Sequence, residues 1–197
     1  MNYVLKNQII RLGYFLIPSA ETRSKLLKKN HFFYYMGENV HFQPRHLPAD
    51  PKYIKLHNNI CIASGVEFIT HDIIHKVLNN LSGSKTEYKS HIGCIEIMDN
   101  VFIGAGTKIM PGVRIGPNVI VAAGTIVTKD IAPGCVVGGA PAKIIDSFNA
   151  LKKKRLKESL TIKEDNREKR VLTEWKKFKK KRLNANESVN KCHYTSL

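Results

Sequence analysis

A chain of 197 residues, 43% of them hydrophobic, has room for one compact core domain with attachments. Its formal charge of +16 and pI near 9.8 suit an anionic partner, and no stretch approaches the roughly 20 apolar residues of a membrane-spanning helix. Cys61, Cys94, Cys135 and Cys192 form no CxxC pair and no uninterrupted apolar signal core is present, so reduced, cytoplasmic thiols are expected rather than a disulfide framework.

Residues 3–17 place Val4, Leu5, Ile9, Leu12 and Leu16 on one helical stripe interrupted by Lys6, Asn7 and Arg11. Such a helix either covers the open end of the core, packs on a neighbouring subunit, or lies on a membrane surface. Pro18 stops it, and Ser19 with Glu21 and Thr22 reads as the start of a short basic helix. Pro44, Pro48 and Pro51 then argue against a central hydrogen-bonded strand.

A loose period of six begins before residue 60, with Leu56, Ile62 and Phe68 leading and Ile60 and Val66 four places behind Leu56 and Ile62. The phase is lost between Ile73 and about Cys94, which predicts a long loop of functional interest over 73–94, and it returns at Ile95. From there Ile97, Ile103, Ile109, Ile115, Val121 and Val127 keep perfect register. Val101, Thr107, Val113, Val119, Thr125 and Ile131 follow four places after each. Two inward side chains per six residues, separated by one outward residue, predict short flat strands joined by corners, three to a turn: a β-helix. Gly104, Ala105, Gly112, Gly116, Ala122 and Ala123 suit corners where a larger group would meet the next coil. Pro133, Gly134, Gly138, Gly139 and Pro141 end the rhythm, and a helix-prone tail follows that holds roughly half of the chain's 32 Lys and Arg. The expected division is a helical segment over 1–36, the β-helix over 37–145, and a basic helical or partly disordered tail over 146–197.

From about Gly37 to Ile145 the sequence resembles the hexapeptide-repeat acyltransferases, the galactoside and maltose acetyltransferases in particular, on IGAGTKIMPGVRIGPNVIVAAGTIVTKDIAPGCVVGGAPAKII. The resemblance implies an all-β core wound as a left-handed parallel β-helix, an exception to the usual right-handed crossover. It also implies a homotrimer with sites between subunits, acetyl-CoA as acyl donor, and a saccharide or other small hydroxyl acceptor.

Under that resemblance His71, in FITHDIIH at the start of the loop, is the general base: an alcohol attacking a thioester must lose its proton, and a neutral imidazole takes it near pH 7. Asp72, adjacent on an extended chain, points away and is not the expected partner of His71. His75 either shapes the acceptor pocket or is simply exposed. Alternation turns Phe102 outward, where the family commonly carries Trp; His41 and Gln43 in VHFQP sit where related enzymes place a short polar acceptor motif. For the donor, motif position implies Ala105 and Ala123 against the pantetheine arm, Thr128 and Lys129 farther along the groove, and Lys143 at the nucleotide phosphates. Lys143 stands where the family often has Arg, keeping the charge but losing bidentate geometry. No metal is expected.

Serine and antibiotic acceptors are open alternatives to a saccharide within this family. Outside it stand a metal-dependent hydratase using His71, His75 and His91, and a nucleic-acid-binding scaffold using the basic tail with Trp175 and Phe178. Nucleic acid is not the expected partner; the basic tail is open to a membrane surface, an anionic polysaccharide or its own trimer mates, and the N-terminal segment to peripheral membrane contact.

Overall fold

The computed structural model describes residues 3–81, 87–160 and 166–193, with side chains described for all of these except residues 3, 4, 6, 7 and 183–193. Residues 82–86 of the expected loop, 161–165 of the tail, and the Val4, Lys6 and Asn7 side chains of the N-terminal stripe therefore lie outside the description. The chain divides into two compact units, Met1–Lys152 and Lys153–Leu197.

The first unit opens with α1 (Tyr3–Leu16) and α2 (Ala20–Lys29), the latter capped where the sequence predicts its start, the Ser19 hydroxyl accepting from the Thr22 amide at 3.3 Å. Next come β1 (Tyr35–Met36) and β2 (Val40–Phe42), a single 3-10 turn at Pro51–Tyr53, then β3 (Ile54–Leu56), β4 (Ile60–Ile62) and β5 (Glu67–Phe68). The short helix α3 (Ile74–Asn79) lies inside the segment expected as loop. Beyond it run β6 (Ile95–Ile97), β7 (Val101–Ile103), β8 (Lys108–Ile109), β9 (Arg114–Ile115), β10 (Val119–Val121), β11 (Ile126–Val127) and β12 (Cys135–Gly138).

These strands stack into three parallel sheets, β1-β3-β6-β9, β2-β4-β7-β10-β12 and β5-β8-β11, the three faces of a parallel β-helix. Val101 pairs with Val119 and Lys108 with Ile126, an offset of 18 residues, so one coil consumes three hexapeptides. Ile60 pairs with Val101 across an offset of 41, so the inserted segment leaves the coil and returns without changing the register. The six leading aliphatics from Ile97 to Val127 are all fully buried, as are Thr107 and Thr125, whose hydroxyls both donate to the Ala122 carbonyl. The third face starts one coil late, at β5, because the Pro-rich stretch in the first coil supplies no strand there.

One corner column has a signature of its own. Asn39, Asn59, Asn100 and Asn118 each precede a strand of the second sheet and adopt φ of 54° to 60°. Asn tolerates this left-handed region better than other residues with a Cβ. The Asn59 amide donates to Asn100 at 2.7 Å and Asn100 to Asn118 at 3.1 Å, a side-chain ladder along the corner. Gly134 takes the position in the last coil. At another corner Gly116 has no room for a Cβ, which would lie 2.9 Å from the Ile131 carbonyl oxygen.

The N-terminal helices cover the open end of the coil, but not with the expected stripe. Leu5, Ile9, Leu12 and Leu16 are at least half exposed, and Ile10 and Tyr14 are buried instead. Backbone carbonyls set this rotation. The Pro-rich segment forms no strand, so its carbonyls need other donors. Arg11 donates to Leu47 and Pro48 at 3.2 and 2.5 Å, Tyr14 to Pro44 at 2.5 Å, and Arg23, itself buried, to Gln43 at 3.2 Å. Ser24 on α2 accepts from the Phe42 amide at 2.8 Å, satisfying the edge of β2. Phe32, Phe33, Phe42 and Tyr14 pack as an aromatic plug at this end.

At the other end a strand that the sequence does not predict, β13 (Lys143–Ser147), turns back antiparallel on β12 and crosses the boundary expected at residue 145. Two tail helices follow, α4 (Phe148–Leu160) and α5 (Arg167–His193). No helix among the described residues is long and apolar enough to cross a membrane.

Candidate active site

Where β5 ends, the chain turns the corner from the third face toward the first, and His71 sits in that corner, bridged antiparallel to Ile92 on the returning segment. Its Nδ1 lies 2.6 Å from Oδ2 of Asp50. A carboxylate only accepts, so Nδ1 carries the hydrogen, and the tautomer this selects for the neutral ring has its lone pair on Nε2. Thr70 donates to the same Oδ2 at 3.1 Å, fixing the carboxylate in turn. Both His71 and Asp50 stay roughly a third exposed, so the imidazole is held on one side and accessible on the other.

Asp72 is engaged elsewhere. Its Oδ1 accepts from the Ile74 amide at 3.0 Å, making a local turn that leads into α3. Strand alternation excludes Asp72 correctly, yet nothing in the local sequence points to Asp50. The missing signal is the coil offset. β2 pairs with β4 across 20 residues, which stacks Asp50 beneath Thr70 and beside His71.

Ala105 and Ala123 are exposed and stacked at the corner where the chain enters the third face, the Gly124 amide donating to the Ala105 carbonyl at 2.8 Å. A Cβ on the neighbouring Gly104 would lie 2.7 Å from the Ala122 carbonyl carbon, so this corner admits only minimal side chains. Thr128 and Lys129, both exposed, leave the same face at its other corner, one coil beyond Met110. His71 and the alanine column thus border opposite edges of the face built by β5, β8 and β11. Lys143 begins β13 with its side chain exposed.

Of the residues expected at the acceptor, His41, Gln43 and Phe102 lie along the second sheet and not in the His71 corner. Phe102 is 40% exposed on the outer surface of the second sheet, as alternation predicts, in one cross-strand row with His41, Cys61 and Ile120. His41 lines a cavity of about 400 Å³ between α2 and the β1–β2 turn, whose lining includes neither His71 nor Asp50. Gln43 is exposed, with its Nε2 3.1 Å from Nε2 of His41. His75 lies on α3, four residues beyond His71, and its buried Nδ1 has no hydrogen-bond partner among the described residues. Among those residues no three His, Cys, Asp or Glu side chains converge to hold a metal ion.

The outer surface of the first sheet carries the strongest electrostatic cluster. His57 at 2.9 Å, Lys55 at 3.1 Å and Arg114 at 2.8 Å surround Glu96. Their hydrogen bonds, that from His57 foremost, outweigh the opposing effect of burial and pull the Glu96 carboxyl down to about 2. This cluster ties three coils together and lies on a different face from the Asp50–His71 pair.

Residues 95–129 match the model of the bacterial transferase hexapeptide family, described as six repeats. Protein CapG of Staphylococcus aureus is 37% identical over 140 residues, spanning 69% of this chain and 77% of CapG. The galactoside O-acetyltransferase of Escherichia coli is 32% identical over 117 residues, spanning 58% of this chain and 54% of the enzyme. Against that enzyme and several other curated relatives the chain spans about half of their length. Among solved structures, a galactoside acetyltransferase in complex with coenzyme A superimposes with a TM-score of 0.55 at 28% identity, covering 76% of this chain and 82% of that one. In repeat phase, coil geometry and sequence alike, the chain belongs to the hexapeptide-repeat family of bacterial transferases.

Proposed function

We propose that this protein is an acetyl-CoA-dependent O-acetyltransferase acting on a hydroxyl of a sugar or saccharide. The observation that carries the proposal is the Asp50–His71 pair at 2.6 Å, a base oriented from behind and open in front, at the edge of a face bordered by small, exposed corner residues. The likeness to galactoside acetyltransferases supports the donor and the acceptor class.

The reaction needs no covalent enzyme intermediate. His71 Nε2 takes the acceptor hydroxyl proton while that oxygen attacks the thioester carbonyl, and Asp50 stabilises the imidazolium that forms. As the carbonyl reforms, the carbon–sulfur bond breaks and His71 returns its proton to the departing thiolate. Ala105 and Ala123 would flank the pantetheine arm, where side chains of this size leave the backbone approachable. Thr128 and Lys129 would lie farther along, and Lys143 would meet the nucleotide phosphates as a cationic partner. His41, Gln43, His75 and Phe102 remain the acceptor candidates; the separation of His41, Gln43 and Phe102 from His71 in one chain supports a homotrimer in which a neighbour completes each site. A left-handed coil is part of the same reading, on the likeness to the solved family structures. So is cytoplasmic operation, where the acyl donor is available.

Purified protein mixed with acetyl-CoA and a panel of saccharide, amino-alcohol and antibiotic acceptors should release free thiol only with a saccharide, and His71→Ala should abolish that release. Release with serine or an antibiotic alone would move the acceptor class. Loss of acetyl-CoA binding in calorimetry would sink the enzyme reading.

A further inference from the structure

Helix α5, in the second compact unit, presents an apolar stripe of its own. Val171, Trp175 and Phe178 recur at helical spacing with Leu172 beside them, and these four side chains are 45% to 64% exposed. The Trp175 and Phe178 rings meet edge to face at 5.2 Å, forming one continuous apolar ridge. The remaining surface is cationic: from Arg167 to Arg182 the sequence holds nine Lys and Arg against two Glu, one of which, Glu174, is 2.9 Å from Lys177.

We propose that α5 lies in the interfacial plane of an anionic phospholipid bilayer. Val171, Leu172, Trp175 and Phe178 enter the boundary between headgroups and acyl chains, and the flanking lysines face lipid phosphates. A helix with an aromatic and aliphatic ridge flanked by Lys and Arg, whose long stems lie along apolar surface while their charged heads reach outward, gains from both burial and anionic headgroups. Charge complementarity selects this occupant over the others. Phe178 follows Val171 at heptad spacing, but Lys179 and Arg182 follow Leu172 and Trp175, so a seam of two or more copies would gather these cations together, and like charges oppose the association. Single-stranded nucleic acid would stack on open ring faces, but Val171 and Leu172 have none, and Arg182 already lies 3.3 Å over the Phe178 ring.

The chain has a single Trp, so its emission reports on α5 alone. The full-length protein is titrated with vesicles of phosphatidylglycerol and phosphatidylcholine, and with phosphatidylcholine alone, following Trp175 emission and co-sedimentation. The proposal expects a blue shift and sedimentation with the anionic vesicles only, reversed at high salt. It expects at least tenfold weaker partitioning, without the blue shift, for Leu172→Ser combined with Phe178→Ser. Circular dichroism and gel filtration establish that this variant retains its fold. An unshifted spectrum at low salt, equal partitioning of the variant, or a blue shift produced by protein concentration or single-stranded RNA without lipid would each overturn it.

Discussion

Replacing Asp50 by Asn tests the candidate site at the point where its geometry is most specific. The substitution keeps the shape of the side chain and removes no helix cap, since Asp50 makes no side-chain cap bond to the 3-10 turn it precedes. It does remove the charge 2.6 Å from His71 Nδ1, and a carboxamide can present an N–H donor where the ring also donates. A hydrogen bond to a charged group contributes about 1.5–3 kcal/mol. With the two side chains 36% and 39% exposed, solvent screening brings this to about 1–2 kcal/mol. At a tenfold change in rate per roughly 1.4 kcal/mol, kcat should fall about 5- to 30-fold. The KM for acetyl-CoA should hold, because Asp50 lies apart from the alanine column proposed to flank the donor. Steady-state thiol release, with acetyl-CoA affinity measured separately by calorimetry, reads both quantities. If His71→Ala abolishes turnover while Asp50→Asn leaves kcat within a factor of about two, Asp50 does not orient the base.

Three further outcomes follow from the β-helix itself. Glu96 is held at about 2 in the folded chain against an ordinary value of 4.5. The stability this represents, up to about 3 kcal/mol, is present above pH 4.5 and lost as pH falls from there toward 2; denaturant titrations of wild type and Glu96→Gln should therefore differ most at pH 7, less at pH 3, and converge only near pH 2. Asn100→Ala should destabilise by about 2 kcal/mol, combining a Cβ-bearing residue without local hydrogen bonding at φ 60° with the loss of two ladder bonds, whereas Asn100→Gly should recover the backbone share. Ile103→Ala, at a fully buried position in the middle of the second sheet, should cost about 2–5 kcal/mol in urea unfolding.

The N-terminal helix shows how local amphipathicity can mislead. Leu5, Ile9, Leu12 and Leu16 form the cleaner stripe, yet Ile10 and Tyr14 are buried, because orphan carbonyls from Gln43 to Ala49 draw Arg11, Tyr14 and Arg23 inward. A helical wheel cannot register donors required by a segment some 30 residues away. The same limit hid β13, whose antiparallel pairing depends on the partner edge offered by β12.

What the amino-acid order alone determined is the coil: which side chains point inward from Ile97 to Val127, which outward, where the phase breaks and where it returns. Strand alternation and corner size are local properties, repeated every six residues, so the sequence states them many times over. His71 became a candidate through the resemblance to the family, which places a histidine at the point where the repeat stops. Only the tertiary structure supplied its partner. Asp50 and His71 are 21 residues apart and separated by three strands, and they meet because the first coil is 20 residues long where the coil of three regular hexapeptides is 18. Stacking converts an offset along the chain into a neighbour across it, and that offset is set by the packing of whole coils, beyond the reach of any single repeat.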